Sequence, residues 1–286
     1  MNEEQLLDKT LEILRKDGAE GAYAYLLAHK DVLSEPTSQL YNFLYCLASA
    51  TGKTDEGLAW LREAVVDKGL WYRPEVFEDE DLDNLRHSPA FLEYKQLSDQ
   101  RYFDAVKTAA TLCTWQEVED DKLALVVHGN QQNMTFGRDY WKHLTDGGFQ
   151  VEYVQSKTVD SCGLFRWEDE EETQLDGIIA GLPWDRYKTR ILCGFSAGCN
   201  EILRSLTRGF EVDEIILVAP WMPVTDKPMD NLMKALKNTH IKIICGENDE
   251  DCLPHAKKLA EEAEKHGLSY DLKIIVGLGH SYPDNA

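Results

Sequence analysis

Residues 191–200 read ILCGFSAGCN, an apolar run that breaks into Gly194-Phe195-Ser196-Ala197-Gly198. Two glycines bracket a serine at the point where a strand should end. A nucleophile held on a tight turn needs that pattern, and so does any strand-to-helix turn with room for small residues only. What lies on either side has to decide.

Outward from this stretch the chain alternates. LALVVHG, VEYVQ, RILCGF, EIILVAP, IKIICG and LKIIV are short, continuous apolar runs rich in Val and Ile. Such runs suit strands buried on both faces of a parallel sheet. Between most of them stand helical patterns: DYWKHLTDGG, ETQLDGIIAGL, CNEILRSLTRG, DNLMKALKN and HAKKLAEEAEKHG. Regular alternation predicts an open α/β sheet with right-handed crossovers, and sheets of that kind bind ligands at the C-terminal ends of their strands.

Before the acidic linker QEVEDD (116–121) the period is helical instead. Leu7, Leu11 and Leu14 share a face that stops at Gly18; Tyr41, Leu44, Leu47 and Ala48 form a second stripe, closed by Gly52; Leu58, Leu61 and Val65 form a third, closed by Gly69. Thr54 before Asp55-Glu56 is the expected N-cap of the third helix. The middle pair, LYNFLYCLASATGKTDEGLAWLREAVVDKG, resembles a tetratricopeptide repeat, with Ala48, Gly57 and Ala64 at small-residue packing positions. One repeat is too few for a free-standing array. The expected division is a helical, repeat-like domain at 1–118 and an α/β domain at 119–286. The helices are expected to lean on the second domain and to limit access to Ser196, or else to dock a protein partner.

The residues that follow each strand supply the chemistry. His128-Gly129-Asn130-Gln131 follows the first, the serine turn follows RILC, Gly246-Glu247-Asn248-Asp249 follows IKIIC, and Gly277-Leu278-Gly279-His280 follows LKIIV. A serine, an acid and a histidine thus come in that order, each at its own strand tip. With this set, residues 122–286 resemble a small α/β-hydrolase, and the glycines of GxSxG answer to the strained, tightly packed turn on which that family holds its nucleophile. The resemblance implies Ser196 as nucleophile, His280 as general base and Asp249 as the acid that orients it. The family's spacing selects Asp249 from a run that also offers Glu247, Glu250 and Asp251; Asp251 is the next choice, and Asp226, after EIILVAP, the third. The oxyanion hole is implied to use the backbone amides of Ala197 and Asn130, with Gln131 as the alternative to Asn130. His128 belongs to the family's His-Gly pair and is expected to be structural. Trp221 and Gln131 are candidate walls of the substrate pocket, and Tyr282 could serve the same way or simply pack.

Composition narrows the partners. The formal charge of −21 is spread evenly, with 12 Lys/Arg against 22 Asp/Glu up to residue 118 and 18 against 29 afterwards. An acidic surface of this kind excludes nucleic acid and anionic membrane, which need a basic face. No apolar run approaches the roughly 18 residues of a membrane span, and MNEEQLLDKTLEILRKDG carries acids where a secretory signal carries a basic patch. Seven cysteines without a CxxC pair read as reduced thiols of a cytoplasmic protein. The acids of WEDEEE (167–172) suit a helix start and solvent, no histidine shows metal-ligand spacing, and no phosphate loop is present, so no metal or cofactor is expected.

Two departures from the family pattern stand out. Few residues follow His280, so the helix that usually closes the sheet edge is missing. Only residues 221–240 separate EIILVAP from IKIICG, where many lipases carry a lid. With six strands in place of eight, the expected fold is a minimal α/β-hydrolase parallel sheet preceded by the small all-helical domain. The expected function is cleavage of a small-molecule ester or thioester through an acyl-enzyme on Ser196. A peptidase, or a non-catalytic interaction module on a hydrolase-like scaffold, is the alternative.

Overall fold

The computed structural model describes residues 3–33, 36–168, 173–223 and 229–283. The chain divides into two compact units, one of residues 1–109 with 159–164 and the other of residues 110–158 with 165–286. The division between residues 109 and 110 falls ahead of the acidic linker at 116–121, and a short segment from the middle of the α/β sequence groups with the helices.

In the helical unit, α1 (Glu3–His29) is broken at Gly18, whose φ of 80° and ψ of −179° interrupt the helix where the sequence places a stop. Its buried face is Leu6, Leu7 and Thr10 before the break and Ala22, Tyr23 and Leu26 after it; Leu11 and Leu14 are only half-buried. Helices α2 (Ser38–Ala50) and α3 (Thr54–Arg62) form the expected hairpin around Gly52. Thr37 caps α2 by accepting the Gln39 amide. Thr54, however, is the first helical residue and not the cap: the Lys53 amide is tied back to the Ala48 carbonyl at 2.9 Å, and α3 starts directly from that turn. Gly57 earns its place in the packing, because a Cβ there would lie 3.2 Å from a Leu85 methyl. Tyr23 links the hairpin to α1, donating to Glu56 at 2.8 Å and accepting from Trp60 Nε1 at 2.9 Å. Helix α4 (Pro89–Thr108) buries Phe91 and Ser98. Residues 159–164 join through Cys162 N donating to Trp71 O and an Arg73–Asp160 ion pair at 3.1 Å.

The second unit holds a seven-stranded sheet in the order β1-β3-β2-β6-β7-β8-β9. The six apolar runs are its parallel strands: β2 (Lys122–Val127), β3 (Gln150–Gln155), β6 (Thr189–Phe195), β7 (Glu214–Val218), β8 (His240–Gly246) and β9 (Tyr270–Ile275). The seventh, β1 (Leu112–Cys113), pairs antiparallel with β3; two half-exposed residues carry no apolar period to announce it. A two-stranded ribbon, β4 (Val159–Ser161) with β5 (Leu164–Phe165), follows β3 in the chain, and all of it but Phe165 groups with the helical unit. Helices α5 (Arg138–Asp146), α6 (Gln174–Gly181), α7 (Ala197–Leu206), α8 (Asp230–Ala235) and α9 (Leu253–Lys265) fill the gaps the sequence assigned to them.

Burial follows position in the sheet. β2, β6 and β7 lie in the middle and are buried almost throughout, whereas β9 is the edge strand and alternates. LKIIV therefore is not buried on both faces as its composition suggested: Ile274 is 38% and Val276 83% exposed. All seven cysteines are free thiols. Among the described residues no helix is long and apolar enough to cross a membrane. Ile243→Ala, in the fully buried part of β8, is expected to cost about 2–5 kcal/mol, while Val276→Ser stays within about 0.5 kcal/mol; urea midpoints of the two variants, followed by fluorescence, check the contrast.

Candidate active site

The strand order reverses between β2 and β6: the chain leaves β2 to one side for β3 and returns on the other side at β6. The crevice at such a switch point is where an open α/β sheet binds ligands. Ser196 sits there, at the tip of β6. Its φ of 49° and ψ of −121° place a non-glycine residue in the left-handed half of the map, a conformation that costs about 1–3 kcal/mol and persists only when the surroundings enforce it. They do. Ser196 N donates to Val218 O at 3.0 Å, and Cys199 N donates back to Ser196 O at 3.0 Å to start α7. The flanking glycines are required by space. A Cβ on Gly194 would come within 2.8 Å of the Ile202 side chain, and one on Gly198 would overlap the carbonyl oxygens of Val127 and His128. Both explanations of the turn hold together: small residues let strand and helix close up, and the closing strains the serine.

Asp249 and His280 come from loops that cross. A Cβ on Gly246 would overlap the carbonyls of Leu278 and Gly279, and Asn248 N donates to Leu278 O at 2.9 Å. That crossing brings Asp249 to His280: Nδ1 lies 2.8 Å from Asp249 Oδ2, and Nε2 lies 3.0 Å from Ser196 Oγ. A carboxylate only accepts, so Nδ1 carries the ring proton and Nε2 is left to accept from the serine hydroxyl. Asp249 is 2% exposed and its other oxygen accepts the Cys252 amide at 3.0 Å. Burial pushes its carboxyl up, but the His280 hydrogen bond and charge together with the Cys252 amide outweigh that, and it is held below the ordinary carboxylate value. Glu247, Glu250 and Asp251 are exposed, and Glu247 turns instead to the Gly277 amide at 3.1 Å. Asp226 lies outside the described residues.

The family model described as "A/B hydrolase-like, N-terminal domain" matches residues 2–106. A crystal structure of an uncharacterized protein from Bacillus cereus ATCC 10987 is 30% identical over 99% of this chain and 94% of its own, with a TM-score of 0.55. The chain belongs to the α/β-hydrolase superfamily. Esterase PE8 (17% identity, TM-score 0.47, 62% of this chain and 92% of that one) and the Bacillus cereus carboxylesterase (16%, 0.46, 65% and 93%) are more distant structural neighbours. A search of the curated proteins gave no match.

In this α/β-hydrolase fold the loop after β2 backs onto the serine turn. A Cβ on Gly129 would lie 3.1 Å from Ser196 Cβ. Asn130 engages its side chain away from the nucleophile, Oδ1 accepting the Trp167 amide at 2.8 Å, so any part it plays toward a substrate falls to its backbone. Gln131 follows with a φ of 57° and is exposed. Ala197 opens α7, so its amide stands at the positive end of a ten-residue helix. Trp221 donates its amide to Ser196 O at 3.2 Å and is 39% exposed. His128 is buried and neutral. Its Nε2 accepts the Ser156 amide at 3.2 Å, so Nδ1 must donate to Gly129 O at 2.6 Å, and burial lowers its pKa to about 4.

Several supports gave no sequence signal. Gln132 Oε1 accepts the Gly129 amide at 2.9 Å, and Trp167, read from sequence only as the start of an acidic run, donates Nε1 to His128 O at 2.6 Å. Tyr282 packs: its ring stacks on Phe195 with centroids 4.4 Å apart, in the space left by Gly137. Cys252 adds a thiol beside the acid–base pair. With Asp249 and His280 it forms a trio of metal-ligand type, although no sequence spacing suggested one.

Glu201, one helical turn past the elbow on α7, is a further buried acid at 2% exposure. It accepts the Leu175 amide at 3.1 Å at the start of α6. Burial raises its pKa to about 7 against the lowering pull of those amides. The native state therefore keeps a proton between pH 4.5 and 7 that the unfolded chain releases, and the stability this confers is lost as pH rises through 7. Glu201→Gln keeps an acceptor and removes the titration. Its stability relative to wild type should rise by roughly 3 kcal/mol from pH 4.5 to above pH 7, read from urea unfolding at matched ionic strength. A difference independent of pH would refute the assignment.

Proposed function

We propose that this protein is a serine hydrolase that cleaves an ester or thioester through an acyl-enzyme on Ser196. The observation that carries the reading is the unbroken proton path from Ser196 Oγ through His280 to buried Asp249, at 3.0 and 2.8 Å. His280 Nε2 takes the hydroxyl proton as Oγ attacks the acyl carbon, and the carbonyl oxygen becomes an oxyanion. Asp249 keeps the ring in the needed tautomer and balances the imidazolium that forms. The Ala197 amide and the backbone of the Asn130 loop face the developing negative charge, where two preorganised donors lower the barrier most. Collapse of the intermediate expels the alcohol or thiol, which leaves with the proton from Nε2. Water then repeats the sequence on the acyl-serine and frees the acid.

A fluorophosphonate probe is expected to label the wild-type protein at Ser196, and a series of p-nitrophenyl esters of increasing acyl length defines the substrate range. Ser196→Ala should lose the label and at least about 10³-fold in turnover with an unchanged circular dichroism spectrum. A variant that keeps most of its activity would remove the covalent mechanism.

The choice of acid has its own test. Asp249→Asn cannot enforce the Nδ1–H tautomer and should cost roughly 10⁴ in kcat. Asp251→Asn, at an exposed position, should stay near the wild-type rate. Reversal of that order would transfer the role to Asp251.

A further inference from the structure

We propose that Asp249, Cys252 and His280 form a binding site for a zinc-like divalent cation, and that the bound ion switches the hydrolase off. The binding half stands on the geometry of the three side chains; the inhibitory half rests on the reading of Ser196 and His280 given above.

A carboxylate oxygen, a thiolate sulfur and an imidazole nitrogen are a set that zinc takes, with three protein ligands and an open fourth position. Here one ligand atom from each residue lies within 4.8 Å of the other two. Tetrahedral bonds of about 2.0–2.3 Å put ligand atoms roughly 3.3–3.8 Å apart. Cys252 Sγ and His280 Nδ1 are already 3.6 Å apart. The His280–Asp249 pair, at 2.8 Å, is too close. It has to open by about half an ångström, and the base is the member able to yield. His280 is 37% exposed on the side chain, whereas Asp249 is 1% exposed and Cys252 is buried. The ion thus reaches two fixed ligands by way of the movable one. Ionised Asp249 and Cys252 with neutral His280 cancel the charge of a divalent cation, which a buried site requires.

The proton balance explains the inhibition. Without metal, the imidazole carries its one proton on Nδ1 and accepts from Ser196 at Nε2. With Nδ1 bonded to the ion, that proton moves through solvent to Nε2, and the Cys252 thiol proton leaves to solvent. Nε2 then has no lone pair for the serine hydroxyl. The ion removes the base without touching the nucleophile.

Cobalt(II) reports thiolate ligation directly by a near-ultraviolet charge-transfer band. Added to the full-length protein it should produce that band, in wild type and in Ser196→Ala alike, and zinc should abolish it by competition. Cys252→Ala should lack the band, and Cys252→Ser serves if the alanine variant does not fold. In the activity arm, zinc should inhibit ester hydrolysis reversibly, with full recovery on chelation. Half-inhibition in the Cys252 variant should need at least tenfold more zinc, each protein being normalised to its own metal-free rate. A band that survives loss of Cys252, no band at all, or inhibition equal in both proteins would overturn the site. A band without any measurable esterase activity would leave the site standing and overturn the inhibitory role and the functional reading together.

Discussion

The close passage of two loops over Gly246 is what the candidate site depends on. The carbonyls of Leu278 and Gly279 lie where any side chain at 246 would have to be, and the Asn248 amide is bonded to one of them. Acid and base are 31 residues apart in sequence and sit at the tips of neighbouring parallel strands, β8 and β9. Parallel strands alone would leave their loops side by side. The missing Cβ lets one loop lie over the other, and Asp249 is then buried with its carboxylate toward His280. A similar economy governs the elbow, where Gly198 lets α7 press against the end of β2 and the strain falls on Ser196.

Much of this was legible in the sequence, because strand tips can be found from strand runs. The six parallel strands are apolar and β-branched, and Ser196, Asp249 and His280, which the structure brings within hydrogen-bond distance, stand shortly after the ends of three of them. Three kinds of feature escaped. Strand β1 is two residues long and half-exposed, so no periodicity marks it. Thr54 looked like a cap because the residue type is right, but a Schellman-like turn through Lys53 started the helix first. LKIIV has the composition of a central strand and lies at the edge, since composition reports local apolarity and not which neighbours arrive on each side. The supports of the site were hidden for a further reason. Gln132, Trp167, Glu201 and Cys252 act through contacts with residues far away in sequence or through local turns, and their types carry no distinctive spacing.

Glu201 and His128 show how the interior treats charge. One is an acid that burial keeps protonated toward neutrality, the other a base that burial keeps unprotonated. Both spend their hydrogen-bonding capacity on backbone amides at points where the chain changes direction, the start of α6 and the end of β3. In the weakly acidic range their proton balances are opposite in sign, so one offsets the other.

The stack of Tyr282 on Phe195 has a consequence for anyone altering this protein. Phe195 stands just before Ser196 and Tyr282 two residues after His280, so one aromatic contact joins the neighbours of the two. His280 itself rests 5.1 Å from the same Phe195 ring. The ring at 195 therefore packs against both His280 and Tyr282. Positions 195, 282 and 137 form a single unit of exchange: a thinner ring partner at one calls for added bulk at another. Libraries that randomise the serine turn alone will sample mostly broken packing.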